Sequence, residues 1–409
     1  MPILTDTALK MILPKMYKVQ QEFEAEEITN IKQAVDTEIN RAEIKKIVKT
    51  GQRIALAVGS RGIYNLDAIV KQTIISLKEL GADPFIIPAM GSHGGATSEG
   101  QKQVLEDYGI TEEAMGVSII SSMEVEQIGE TESGIPVFLD KNALQADLIV
   151  PIGRIKPHTD FKGPIESGIC KMLAIGLGKH EGCSRIHQEG FDTFHKVIPE
   201  IAQVIINRAP IGFGIAIVEN AFDRTAKIKC MIASNILKEE PLLLEFAKAS
   251  MPKLLFDEID VLIVEEIGKD ISGAGMDPNI TGRTTKGIIE GFTGPTIQRI
   301  VVLDLTEHTH GNAAGIGAAE FITKSVMDKI DLVSTYTNCV ASSNPEGARL
   351  PIVMDTEREA LIAAIKCCNR IDIENPKIVR IKNTLDLSEI YVSEALVENV
   401  KHSTRLKII

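Results

Sequence analysis

The 409-residue chain has room for about two to three ordinary domains. Its 44% hydrophobic and 24% charged residues match the averages of soluble globular proteins. A net charge of −12, from 56 acidic against 44 basic residues, argues against a nucleic-acid backbone as partner, and the absence of Trp argues against stacking platforms for single strands.

No apolar stretch approaches the roughly 20 residues of a membrane span. The opening MPILTDTALKMILPKM lacks the charged-then-apolar form of a secretory signal. The six cysteines (Cys170, Cys183, Cys230, Cys339, Cys367 and Cys368) form no C-x-x-C pair and read as reduced thiols. A cytoplasmic protein is expected.

In chain order, Ile54–Val58 reads as a buried strand. Asn65–Gly81 follows as a helix, with Leu66, Ile69, Val70, Ile74, Leu77 and Leu80 at a helical period and Gly81 as its stop. Phe85–Ala89 is the next strand. A glycine-rich turn, Gly91–Gly95, leads into a helix from about Ser98. Ala146–Ile152 and Ile215–Val218 are further strands. After Pro252 the rhythm resumes, with strands at Ile259–Val264, Ile300–Leu305 and Ile378–Ile381 and helices over 315–328 and 356–368. The alternation predicts two α/β domains, 1–255 and 256–409, each with a mostly parallel sheet and helices on both faces. No internal repeat or low-complexity segment interrupts it.

In open sheets of this kind ligands sit beyond the carboxyl ends of the strands. The loops there, Gly59–Ile63, Met90–Thr97, Gly153–Lys171 and Glu266–Lys286, hold most of the unusual polar residues. His93 lies in GSHGGATSEG, where glycines let the backbone approach a ligand. His158 lies in GRIKPHTDFKGP, a loop too rich in charge for a plain connector, although Lys156 and Lys162 also suit ordinary solvated positions. Lys171 directly precedes an apolar run. It reads either as a lysine snorkelling from a helix end or as one that carries an attached group. His187 follows in GKHEGCSRIHQEG with His180, Cys183 and Arg185. His187 suits a single imidazole ligand in a metal site built mostly by a cofactor, because zinc-ligand spacing is missing. His308 and His310 form an H-x-H pair at a strand end, while His195 and His402 read as structural. No P-loop, complete G-x-G-x-x-G or G-x-S-x-G elbow is present.

Taken together, these residues resemble the lactate racemase family of nickel-dependent 2-hydroxyacid racemases and epimerases, over nearly the whole chain. The resemblance implies that His93, in its GSH loop, and His158, in PHTDFKGPIESGICK, are paired acid/base groups. It implies that Lys171 carries a nickel-pincer nucleotide (a pyridinium-3-thioamide-5-thiocarboxylic acid mononucleotide) through a thioamide. Ser167 and Gly168 would line that cofactor, and His187 would be the metal's protein ligand. Arg61 matches the arginine that binds the substrate carboxylate. Ser272-Gly273…Asp277-Pro-Asn279…Lys286-Gly287 looks like the family's second-domain pattern, with Lys286 a substrate contact and Arg283 standing near the family's glutamine. The active site would lie in the interdomain cleft, the partners would be a small 2-hydroxy acid and the cofactor-maturation enzymes, and a homodimer is compatible.

Three departures stand out. The His158–Lys171 segment is about three residues longer than in lactate racemase, Val58 replaces an aspartate, and Arg283 adds positive charge. Arg283 motivates the expectation of a more acidic or larger 2-hydroxy acid than lactate. Two other readings remain at this level: a zinc-type lyase or hydrolase, and a non-catalytic small-acid-binding protein.

Overall fold

A computed structural model describes residues 3–60, 62–287 and 290–409. Its strands are β1 Met16–Gln21, β2 Arg53–Val58, β3 Asp83–Pro88, β4 Val125–Glu130, β5 Pro136–Asp140, β6 Leu148–Arg154, β7 Phe213–Glu219, β8 Thr225–Ile232, β9 Glu258–Val264, β10 Thr296–Val302, β11 Phe321–Thr323, β12 Ile352–Met354, β13 Ile378–Ile381, β14 Glu389–Ser393 and β15 Leu406–Ile408. The chain divides into two units, Ala25–Met251 and Met1–Glu24 with Pro252–Ile409.

In the Ala25–Met251 unit the sheet order is β3-β2-β6-β7-β8. The first four strands are parallel and β8 closes the edge antiparallel to β7. Successive side chains of a strand point to opposite faces, and here both faces are buried. On β2, Ile54, Leu56 and Val58 pack with Ile69, Val70 and Ile74 of the Leu66–Glu79 helix. Ala55 and Ala57 join the opposite core with Leu173, Ile198 and Leu244. Burial on both faces explains why these strands read as unbroken apolar runs. A separate hairpin, β4-β5, contributes Val137 and Leu139 to the second of these cores.

The other unit carries an eight-stranded sheet in the order β12-β11-β10-β9-β13-β14-β1-β15. It is parallel from β12 to β13 and antiparallel from β13 to β15. Val261, Ile263, Val301, Phe321 and Met354 face the Glu357–Lys366 helix and form one core with it.

Three expectations are corrected here. The first 24 residues belong with the second unit, because β1 inserts between β14 and β15 and buries Val19 completely. The helix expected over 315–328 is broken. Gly315 takes φ 105°, a short 3₁₀ turn covers Ile316–Ala318, and Phe321–Thr323 extends between β10 and β12 before a helix forms at Lys324–Lys329. The periodicity there came from buried strand residues. The strand expected at Ile300–Leu305 runs instead over Thr296–Val302, and its last expected residues leave the ladder.

Candidate active site

The polar loops of the Ala25–Met251 unit leave the carboxyl ends of β2, β3 and β6. After β3 the chain turns through Gly91, Gly94 and Gly95, with φ of 60°, 65° and 63°. Gly94 needs its missing Cβ, since one would lie 2.5 Å from the carbonyl carbon of Gly100. The turn presents His93 as an exposed side chain whose Nδ1 lies 2.6 Å from the Ser60 hydroxyl, at the end of β2.

Lys171 ends a short helical turn, Ile169–Lys171, that passes directly into a π-helical turn, Met172–Gly176. Wide turns of this type recur at functional sites. The Met172 side chain lies over Gly59 and Gly153, the residues that close β2 and β6, where a Cβ would collide with it at Gly153. The Gly91 amide donates to the Gly176 carbonyl at 3.2 Å. The His93 loop and the Lys171 turn are therefore packed against each other.

His187 is the last residue of the Lys179–His187 helix. Its Nδ1–H donates to the Cys183 carbonyl at 2.7 Å, with the Cys183 thiol 3.6 Å away. That bond fixes the tautomer and leaves the Nε2 lone pair for a ligand role. Hydrogen bonding to Cys183 holds the imidazole above its ordinary pKa, against burial and the positive charge of Lys171. Burial pushes the Cys183 thiol up, but hydrogen bonds with His187 and Ser92 outweigh it and leave the thiol below its usual value. Ser92 and Cys183, 3.7 Å apart, tie the His93 loop to the helix that bears His187.

His158 is mostly covered, with 12% of its side chain exposed. Its Nδ1 accepts the Asp160 amide at 3.0 Å, and its ring stacks 4.4 Å from Phe161 and 6.0 Å from Phe191. Phe191 is also 5.7 Å from His187, and Phe194 is 5.3 Å from it. An aromatic wedge thus spaces the two imidazoles. Beneath them the fully buried Glu166 carboxylate accepts the His158 amide at 2.6 Å and pairs with Lys162 and Lys248. Lys162 also donates to the His158 carbonyl at 2.9 Å, so it fastens the loop and is no idle surface charge. Ser167 pairs its backbone with Lys156. Gly168 is small because a Cβ would fall 2.2 Å from the buried Glu240 carboxyl.

His93, His158, Ser167, Gly168, Lys171 and His187 therefore belong to one neighbourhood of one unit. Arg61 lies outside the described residues. In the other unit Arg283 pairs with Glu320 at 2.8 Å, and its buried Nε has no hydrogen-bond partner among the described residues. Lys286 is exposed, two residues beyond Thr284, whose hydroxyl accepts its amide. Asp277 caps the Pro278–Thr281 turn and is tied to Asn279, so that part of the pattern builds the loop. His308 and His310 are both exposed. Sequence reading missed Ser60, Gln101, Lys179 and Glu240, none of which carries a spacing signal.

Residues 1–196 match the lactate racemase N-terminal domain. The fold is also that of two solved structures. The lactate racemase apoprotein from Thermoanaerobacterium thermosaccharolyticum aligns over 90% of this chain and 94% of its own, at 14% identity and a TM-score of 0.53. A Thermotoga maritima protein from a structural genomics consortium aligns over 89% of this chain and 98% of its own, at 13% identity and a TM-score of 0.53. No curated protein matches the sequence. Among the described residues no helix is long and apolar enough to cross a membrane.

Proposed function

We propose that the protein is a racemase or epimerase of a 2-hydroxy acid that works with a nickel-pincer nucleotide tethered to Lys171. The observation that carries this reading is His187. Its Nδ1 is committed to the Cys183 carbonyl, its Nε2 has no hydrogen-bond partner among the described residues, and it feels the charge of Lys171. The residues fit a cofactor that brings most of its own donors, since among the described residues no three His, Cys, Asp or Glu side chains gather to hold an ion alone. The same observation counts against a zinc-type hydrolase. Lys171 would hold the group, His187 would complete its metal's coordination, and Ser167 and Gly168 would line it.

When bound, the group supplies a hydride acceptor, so the substrate C–H is broken without a carbanion. The chain's own task is to move the hydroxyl proton, and inversion needs one group for each enantiomer. His158 accepts the Asp160 amide on Nδ1, so the neutral ring carries its proton on Nε2 and acts as the acid. His93, if it donates Nδ1–H to Ser60, presents a basic Nε2. The pair is then set as base and acid for one direction and exchanges roles for the other. Arg61 would clamp the substrate carboxylate with the bidentate geometry of a guanidinium, and Lys286 would add a contact. A substrate role for Arg283 has to compete with Glu320.

The test is intact-mass and nickel analysis of the protein made together with the cofactor-maturation enzymes. A mass adduct on the Lys171 peptide, absent in Lys171→Ala, and racemisation lost in His93→Ala are expected. An unmodified Lys171 overturns the reading. A panel of lactate, malate and sugar acids then ranks the substrate, with a preference for an acid larger or more acidic than lactate expected from Arg283.

A further inference from the structure

A buried cation underlies the His93 loop. Lys179 has no exposed surface, and burial lowers its pKa against the pull of Asp140. Its Nζ donates to the Pro88 carbonyl at 2.5 Å and to Gln101 Oε1 at 3.2 Å, and lies 3.2 Å from Asp140 Oδ2. Gln101 is also fully buried. Its Nε2 donates onward to the Gly91 carbonyl at 2.9 Å and the His93 carbonyl at 3.3 Å. Lys179 takes φ 53°, a left-handed conformation that a lysine rarely adopts and that persists only where its surroundings enforce it. It also opens the helix that carries Cys183 and His187.

A buried ion pair is a weak source of stability, since an apolar pair of the same volume often does as well. What this one supplies is direction. Its two acceptors come from the end of β3 and the helix beginning at Ser98, and its ion-pair partner from the end of β5. They fix the start of the His187 helix to the backbone of His93.

We propose that Lys179 and Gln101 are positioning residues. Through Gln101, the buried ammonium sets the His93 carbonyl, and so aims the imidazole that Ser60 holds at its other end. This inference rests on the acid/base reading of His93 for its consequence in turnover, but not for its structural claim.

The test uses the full chain, as apoprotein and as holoenzyme, with Gln101→Leu and Gln101→Glu. Gln101→Glu keeps an acceptor for Lys179 but lacks the donors to Gly91 and His93, so a merely structural role predicts protection lost throughout the unit, whereas positioning predicts a loss confined to the His93 loop. Expected in both variants is amide exchange at 92–95 about ten-fold faster or more, with the rest of the unit little changed. A shifted imidazole nitrogen resonance of His93 should accompany it. In holoenzyme kcat should fall about ten-fold or more with KM little moved, since misaim costs the reacting geometry. Parent-like exchange and parent-like His93 resonances in both variants overturn the proposal. If instead the parent protein itself takes no adduct at Lys171, the racemase reading fails, and the exchange and resonance measurements still decide the positioning claim.

Discussion

Glu240 is a carboxyl placed where no water reaches it. It is 1% exposed, its Oε2 accepts the Cys170 amide at 2.9 Å, and its buried Oε1 has no hydrogen-bond partner among the described residues. Burial raises its pKa from 4.5 to about 7, only partly offset by the amides of Cys170 and Ile169. The folded chain therefore holds a proton that the unfolded chain releases. Its stabilising contribution is full below pH 4.5, falls as pH rises toward 7, and is lost above that. Glu240→Gln keeps an acceptor for Cys170 and cannot ionise. Between pH 5 and pH 8 the parent should lose roughly 2–3 kcal/mol relative to this variant, read from urea unfolding at both values. An unchanged difference would place the Glu240 proton elsewhere. The carboxyl also sits where the Cβ of Gly168 would be, three residues before Lys171, so its charge bears on the turn that presents the lysine.

At the scale of elements, the site depends on turns that admit little substitution. Gly94 combines φ 65° with backbone of Gly100 and Gln101 at 2.5 and 2.6 Å from any Cβ. Gly94→Ala should cost about 1–3 kcal/mol, through left-handed strain and the displaced backbone. The loss should appear as a lowered melting temperature and faster amide exchange in the His93 loop. The parallel strands β2, β3, β6 and β9 were legible in the sequence because burial on both faces leaves continuous apolar runs. The hairpin strand β4 was not, since none of its residues is buried. The segment at 315–328 misled because a three-residue strand and a 3₁₀ turn together imitate a helical period.

For the whole molecule, β1 links the beginning of the chain to its end. Val19 is fully buried in the sheet of the 252–409 unit, between β14 and β15. Removing residues 1–24 should leave residues 25–251 folded and strip the 252–409 unit of an interior strand. A chain beginning at residue 25 should then unfold in two separate transitions, the earlier one belonging to residues 252–409. Domain-resolved amide exchange would check this; uniform protection in both units would contradict it.

The sequence by itself determined the alternation of strand and helix, the loops that hold the chemistry, and the identities of His93, His158, Lys171 and His187 as residues worth weighing. Each of these is a local matter of apolar periodicity, glycine placement or side-chain chemistry near a strand end. Only the tertiary structure decided that Ser60 meets His93, that Cys183 fixes the tautomer of His187, that Lys162 closes on Glu166, and that a buried lysine supports the His93 loop. Those pairings join residues far apart in the chain or turn on burial, and neither leaves a period or a motif in the order of the amino acids.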